Sequence, residues 1–291
     1  SWMASRLPPT RRGSASPPVR EALVREAVRE ELVSELSRDY GVHAYGKWRG
    51  AFWRLISLVD LGVEPGHPGA LAAAEQTLEW VADPERLAEV HRLRIDGRVR
   101  RHASQEGRAL QACLDVGLRG DPRLDTLAAS LVETQWPDGG WNCDRHRECT
   151  HSSFHESWGP ILGLARYGAQ DAVARGAEFL LQHRVVFSHR TGEPAHPTLL
   201  KLRFPAYWHY DVLAGLRTLA AAGALRDPRA DDALDLLESQ RRPDGSWRTQ
   251  GRWWKRPGSK DGNVEAVDWG EAANEVLTEQ AEGVLRAAGR F

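Results

Sequence analysis

The sequence predicts an all-α protein built from repeated helix pairs. Five segments end in an apolar run followed by glycine, at Gly62, Gly117, Gly168, Gly223 and Gly289, with intervals of 55, 51, 55 and 66 residues. A glycine directly after a helical pattern is the expected left-handed helix cap. A unit of about 50 residues, with an apolar inner helix and an amphipathic outer helix, therefore repeats along the chain. Such pairs either stack as an open solenoid or close into a ring.

Composition and charge exclude several classes of protein. The chain has 291 residues and a formal net charge of -1, which gives no electrostatic case for binding nucleic acid or an anionic membrane. No apolar stretch approaches the length of a membrane span, and no signal peptide opens the chain, so we expect a cytoplasmic protein. The three cysteines cannot all pair with one another, which agrees with a reducing compartment. The oligomeric state is left open.

The first residues differ in composition from the rest. Met3 is the only methionine, and we interpret Ser1 and Trp2 as a tag remnant. Residues 1–18 are rich in Pro, Ser and Arg and predict a flexible arm. Apolar residues recur at helical spacing from there on, so we expect residues 19–291 to form a single domain.

The outer helices can be placed from the links that precede them. The links Asp121-Pro122-Arg123 and Asp227-Pro228-Arg229 lead into amphipathic patterns that predict outer helices over 124–135 and 230–240.

Two outer helices end in related segments, Gln135 to Trp141 and Gln240 to Trp247. Each contains Pro-Asp-Gly, in which Pro fixes φ and Gly supplies the positive φ of a tight turn. We interpret both as structural clasps, in which the Gln binds backbone of a neighbouring repeat and the Trp stacks on the next helix end.

These two segments resemble the QW repeat of squalene-hopene cyclases and related terpene cyclases, whose α/α toroid is shared by the β subunits of protein prenyltransferases. Over residues 40–291 the resemblance implies an α/α toroid (barrel) of about five to six helix pairs around a central cavity. The Asp-x-Asp-Asp motif from which class II cyclases protonate their substrate is missing, since the nearest string, Arg229 to Asp232, starts an outer helix. The resemblance therefore implies the fold and not the usual cyclase reaction.

The prenyltransferase comparison also implies a metal. In that family zinc is held by Asp and Cys before one inner helix and by a His at the start of a later one. Tyr207-Trp208-His209-Tyr210 resembles the second element, so His209 matches the zinc histidine, while Cys143 and Asp144 lie in the region of the first in another order. Cys143, His155 and His209 are therefore the expected ligands of a divalent metal, zinc by ligand type.

The segment 141–156 is the densest polar region of the chain, and it leads into an inner helix. It begins with Trp141, Cys143 and Asp144, which we expect at the mouth of the cavity, with Trp141 against the substrate and Asp144 as an acid or base. A neighbouring histidine could make Cys143 a nucleophile, and a small buried hydrophobe is the equal alternative.

The same segment ends in Ser153-Phe154-His155-Glu156, which reads as a capping box in which Glu156 closes back on its own helix. We favour that role for Glu156 over catalysis. His155 sits one turn inside the inner helix, where an imidazole needs a partner or a function.

A second candidate group surrounds the start of the next inner helix. His209 is a candidate acid or base, and Trp208 and Tyr210 are candidate substrate contacts. Asp211 either caps the helix or orients His209 and exchanges protons. Because the starts of adjacent inner helices meet at one mouth of a ring, we expect His155 and His209 to converge.

Weaker candidates begin other inner helices: Lys47, Trp48 and Trp53 the first, and Arg101, His102 and Gln105 the second. The segment 241–260 combines seven cationic residues with three tryptophans. Its simplest role is a surface loop stapled by cation–π contacts, with Arg252 and Trp253 as the exceptions that contact substrate.

These residues predict an enzyme acting on a small, apolar or isoprenoid-like substrate in the central cavity, by transfer or cyclisation on resemblance or by metal-assisted hydrolysis on residue type. One alternative is a binding protein without chemistry. The other is a metal-independent hydrolase or lyase acting on sugars through Asp144 and Glu156.

Overall fold

The computed structural model describes residues 17–260 and 262–291, and over these ranges the protein is all-α. The predicted arm, residues 1–18, lies outside this part except for Pro17 and Pro18, which begin the first helix. The only sheet in the described part is a two-stranded hairpin, β1 (Arg94–Ile95) and β2 (Arg98–Val99). The described helices are α1 (Pro17–Leu36), α2 (Ala51–Asp60), α3 (Pro68–Val81), α4 (Pro84–Arg92), α5 (Ala103–Asp115), α6 (Pro122–Glu133), α7 (Phe154–Tyr167), α8 (Gln170–Gln182), α9 (Val212–Ala221), α10 (Asp231–Ser239) and α11 (Ala272–Ala288).

The predicted glycine terminators are confirmed. All five have positive φ, and Gly168 and Gly289 are left-handed caps directly after α7 and α11. The alternation of nearly fully buried and one-sided helices also follows the prediction, since α2, α5, α7 and α9 are buried along most of their length. The alternation of an inner and an outer helix therefore holds from α5 to α10, whereas α4 and the hairpin of β1 and β2 follow α3 and interrupt the pairs in the first repeat.

The Asp-Pro links work in the same way in two repeats. Asp121 caps α6 and Asp227 caps the short 3₁₀ turn before α10, each by accepting the backbone N–H two positions ahead at 2.9 Å. The arginine of each link then pairs with an outer helix of the preceding repeat, Arg123 with Glu75 on α3 and Arg229 with Glu178 on α8. Because these pairs are exposed, they link successive outer helices but add little stability.

The two Pro-Asp-Gly segments bind neighbouring backbone through their glutamines, as predicted, whereas each Trp indole bonds back to the outer helix that precedes it and not to the next helix end. The Gln135 amide donates to the carbonyl of Ala172 on α8 at 2.9 Å, and the fully buried Trp141 indole donates to the carbonyl of Leu131 at 3.1 Å. In the later copy the Gln240 amide and the Trp247 indole each donate to a backbone carbonyl at 2.8 Å. Each clasp therefore ties the end of an outer helix to neighbouring backbone.

The inner helices contact one another in cyclic order. Contacts run from α2 to α5, α7, α9 and α11, and α1 touches both α11 and α2. The closest approach is that of α5 and α7, where a Cβ on Gly107 would lie 2.2 Å from the backbone nitrogen of Pro160. The all-α class is confirmed, and a closed circuit of contacts is what the predicted toroid requires, although ring closure itself stays a prediction. None of the described helices combines the length and the apolar character that a membrane crossing needs.

Candidate metal centre

The polar segment between Trp141 and α7 is held against the start of α5. An isolated parallel bridge joins Arg100 to Asn142, and the carbonyl of Asn142 accepts the Arg101 N–H at 3.0 Å. At its far end, the Ser153 N–H donates to the carbonyl of Trp141 at 2.9 Å. These backbone bonds place Cys143 beside His102, which is the residue before α5.

Three potential metal ligands meet at this point. His102 precedes α5, Cys143 lies on the segment, and Glu156 is in the first turn of α7, and one ligand atom from each lies within 4.8 Å of the others. In the part of the chain that the structure describes, this is the single place where three His, Cys, Asp or Glu side chains come together so closely. The set is the metal triad. His102 is exposed, Cys143 half-buried and Glu156 buried, so the triad opens to solvent on the histidine side.

Glu156 is the fixed member of the metal triad. One carboxylate oxygen accepts the backbone N–H of Ser104 at 3.0 Å, and the other faces Nδ1 of His102 at 3.3 Å. The predicted capping box is wrong: within the described residues Ser153 makes no side-chain cap to α7. Glu156 reaches across instead and satisfies a first-turn N–H of α5, because the close contact of the two helices brings that donor nearer than its own cap.

The protonation of the metal triad is coupled. Burial, and then the charge of Glu156, raise the pKa of the Cys143 thiol to about 12. The hydrogen bond to Glu156 raises the pKa of His102 against the effect of burial. For Glu156 burial acts to raise the pKa, but the bonds from His102 and Ser104 outweigh it and lower the pKa overall. One carboxylate thus faces two proton donors, an arrangement in which a metal cation can replace both protons.

The zinc set expected from the sequence does not form one group. His155 and His209 do converge, with ring centroids 5.8 Å apart in an edge-to-face arrangement, but Cys143 is grouped with His102 and Glu156. Nδ1 of His155 accepts the backbone N–H of Tyr210 at 2.9 Å. A neutral His155 then carries its proton on Nε2 and has no lone pair left for a metal. Burial lowers the pKa of His155, which favours this neutral form.

His209 lies in an aromatic stack. Its ring is 3.8 Å from the Trp253 ring on one side and 3.9 Å from the Trp208 ring on the other, and the Arg203 guanidinium lies 4.0 Å from the Trp253 centroid. Burial, and then His155, lower the pKa of His209 to about 3. Its Nδ1 is buried and has no hydrogen-bond partner among the described residues. Trp208 and Trp253, both predicted substrate contacts, are therefore half-buried walls of one stack.

Other predicted site residues serve the fold. Asp211 caps α9 by accepting the Ala214 N–H at 2.9 Å and also faces the Arg203 N–H at 3.3 Å; burial raises its pKa to about 6. Of the two roles predicted for Asp211, the cap is confirmed. The Tyr210 side chain is fully buried, and its hydroxyl donates to the carbonyl of Val185 at 2.7 Å.

Three more predicted residues lie away from the metal triad or are engaged elsewhere. Asp144 is exposed and accepts the backbone N–H and Nδ1 of His146 at 2.8 and 2.7 Å. Arg252 pairs with the buried Glu265 at 2.8 Å. Trp141, buried in its clasp, presents no face to a substrate. In each case the side chain for which a chemical role was predicted is already bound by another residue of the protein.

His102, a weaker candidate in the sequence, is the histidine that joins Cys143 and Glu156 in the structure. Its signal was its position, because a histidine near the start of an inner helix recurs at His102, His155 and His209. Tyr45 is a further neighbour of the metal triad. Burial is the main cause that raises the pKa of its hydroxyl, the charges of Glu156 and Cys143 raise it further, and the hydrogen bond with Gln105 lowers it.

Aromatic side chains pack closely together among the inner helices and the segments that precede them. Trp48 stacks on Tyr207 with centroids 4.5 Å apart, and Trp254 lies 3.7 Å from Trp48. Deeper in, the space bounded by Arg108, Trp158 and Arg217 has a volume of about 10 Å³, room for about one water molecule.

Comparison of the chain with models of known protein families and with curated proteins found no match.

Proposed function

We propose that this protein is a metal-dependent enzyme whose ion, zinc by the chemistry of the donors, is held by His102, Cys143 and Glu156. The observation that carries the proposal is the convergence of these three ligand atoms within 4.8 Å from three separate parts of the chain. One imidazole, one thiolate and one carboxylate form a mixed set of the kind that zinc accepts.

The number of ligands supports catalysis over a purely structural role. Structural zinc sites are closed by four protein ligands, whereas catalytic sites use three and keep one position for water or substrate. The His102 side chain is 62% exposed, so that position is accessible. The chemistry that such an ion supplies is Lewis-acid activation of water or of a substrate oxygen.

The surroundings suit a small molecule with an apolar part. A cleft of about 590 Å³ is lined by Trp80 and Arg86, among others, which is within the usual size range of ligand pockets. Arg86 donates to the Gln105 side chain at 2.9 Å, and the Trp80 ring is 5.3 Å from the Tyr45 ring, so the cleft adjoins the residues beside the metal triad. The proposed substrate, an apolar or isoprenoid-like molecule, would rest on Trp80, Val42 and Ala44, the apolar part of this lining.

The sugar-acting alternative is less well supported. It requires one of Asp144 and Glu156 to be a protonated acid near neutral pH. The pKa of Asp144 is lowered, chiefly by the backbone N–H of His146, and that of Glu156 is lowered as well. Both are therefore ionised at neutral pH, and neither is suited to donate a proton.

Metal binding tests the proposal. Apo protein is titrated with zinc against a chromophoric chelator, and with cobalt(II), whose thiolate charge-transfer absorption reports a sulfur ligand. We expect one ion per chain, lost in Cys143→Ser and in His102→Gln. Cys149→Ser is the matched control, because Cys149 lies on the same segment and its sulfur accepts from the Asn142 amide. Perturbation of the cobalt spectrum by azide shows an open position; an unperturbed spectrum would indicate a closed structural site and would contradict the enzymatic role.

A further inference from the structure

A second cavity lies at the opposite ends of the inner helices. In the first four repeats, the residue two positions before the terminal glycine is Asp60 on α2, Asp115 on α5, Arg166 on α7 and Ala221 on α9. All four line one cavity of about 420 Å³. The equivalent positions of four successive repeats therefore meet at this cavity, which we call the C-terminal mouth. The metal triad, by contrast, is built from the starts of α5 and α7.

The polar groups of the C-terminal mouth form one connected chain. Arg166 pairs with Asp115 at 2.8 Å, and Asp115 accepts from the Gln111 amide. The oxygen of Gln111 accepts from Arg108 at 2.6 Å, and Arg108 in turn faces Asp60 at 3.6 Å. Both ends of the Gln111 side chain are therefore fixed by charged partners, and the chain of contacts is built on rigid helices.

Asp60 is held loosely at the inner end of this chain. Arg217 approaches its carboxylate at 3.4 Å, Gln280 at 3.5 Å and Arg108 at 3.6 Å. Charge-assisted hydrogen bonds between arginine and carboxylate are normally about 2.7–2.9 Å long. The three donors thus surround a carboxylate that has lone pairs left for a further donor at shorter range.

The charges on the lining of the C-terminal mouth balance, and Arg108, a further cation behind the lining, is already engaged by Gln111 and Asp60. Among the described residues, the lining holds two carboxylates, two guanidinium groups and two glutamine amides: Asp60, Asp115, Arg166, Arg217, Gln111 and Gln280. Each carboxylate is already paired with an arginine. An anionic ligand would compete with a carboxylate for its arginine, and a cationic ligand would compete with the arginine, so a charged ligand gains little from this lining.

We propose that the C-terminal mouth binds a small neutral polyhydroxylated molecule, a sugar or cyclitol. A hydroxyl group both donates and accepts, so adjacent hydroxyls can bond to the carboxylate and to the guanidinium of one pair without separating them. The apolar side chains of Val59 and Leu162 line the same cavity and can pack against the C–H groups of such a molecule. A volume of about 420 Å³ accommodates a ligand of that size.

The test uses a steric block and its repeat-related control. Ala221→Trp fills the C-terminal mouth without removing a charge, whereas Ala287→Trp places the same side chain at the corresponding position of α11, where Ala287 is exposed. Calorimetry and saturation-transfer NMR with glucose, galactose, trehalose and myo-inositol are run on both variants and on the unaltered protein. We expect at least one probe to bind with a Kd of about 1 mM or tighter. Binding should weaken at least tenfold in Ala221→Trp and remain in Ala287→Trp.

Three results would overturn the proposal. The first is that none of the four probes binds, and the second is that Ala221→Trp binds as well as the unaltered protein. The third is that inorganic phosphate or putrescine binds at the C-terminal mouth and the neutral probes do not. Zinc content is measured on the same samples, because the metal triad lies at the other ends of the helices and should be unaffected by either variant.

Discussion

The carboxylate of Glu156 accepts the backbone N–H of Ser104 at 3.0 Å, from a helix that begins 51 positions before its own. This bond caps α5 from outside and places the same carboxylate beside His102 and Cys143. Glu156 is therefore both a structural link between two inner helices and the buried carboxylate of the proposed metal site.

Replacing Glu156 separates these two roles. Glu156→Ala leaves the buried Ser104 N–H without an acceptor, which should lower the free energy of unfolding by about 1–3 kcal/mol. Glu156→Gln keeps an acceptor oxygen and should cost less, although it removes the charge that a metal needs. Urea unfolding of the apo proteins measures both. Equal losses in the two variants would show that the hydrogen bond to Ser104 is not the source of the stabilisation.

The contact of α5 with α7 depends on glycine. A Cβ at Gly107 would lie 2.2 Å from the backbone of α7, so Gly107→Ala must push the helices apart and should cost about 3 kcal/mol or more. Gly283→Ala on α11 is the control, because its Cβ would meet no described atom within 4 Å. That change should stabilise the protein by about 0.5–1 kcal/mol. Thermal or urea unfolding in which both variants respond alike would refute the close packing.

His209 should make the protein sensitive to acid. Burial lowers its pKa to about 3, so between the ordinary histidine value of about 6.5 and that value the unfolded state binds a proton that the folded state does not. The stability that depends on a neutral His209 is fully present above pH ~6.5 and is lost as the pH falls towards ~3. His209→Phe keeps an aromatic ring between Trp208 and Trp253 but cannot titrate.

Urea midpoints of both proteins at pH ~7 and pH ~4.5 measure this contribution. The unaltered protein should lose more stability than His209→Phe over that range. The same acid-induced loss in both proteins would mean that His209 is not a source of the sensitivity.

The repeat was predictable because its signals are local. Gly168 terminates α7 and Asp211 caps α9, the next inner helix, each through contacts within a few residues, and both can be identified from the sequence. The clasp segments were predictable for the same reason, since Pro-Asp-Gly determines its own turn. Which helices are outer and which are inner follows from these caps and turns and from the pattern of apolar residues.

The metal triad was not predictable, because its members meet only through long-range contacts. The bridge from Arg100 to Asn142 sets Cys143 beside His102, and the glycine contact of α5 and α7 sets Glu156 beside both. Neither of these two contacts can be recognised from the spacing of the residues in the sequence. The packing of the aromatic residues among the inner helices could not be predicted either, since it depends on how Trp48, Tyr207 and Trp254 contact one another in the folded chain.

The most direct test of the account is the zinc stoichiometry of Cys143→Ser beside that of Cys149→Ser. Elemental analysis of metal-reconstituted, extensively dialysed protein should give one zinc per chain for the unaltered protein and for Cys149→Ser, and none for Cys143→Ser. Equal zinc in all three proteins, or no zinc in any of them, would contradict a metal centre at His102, Cys143 and Glu156.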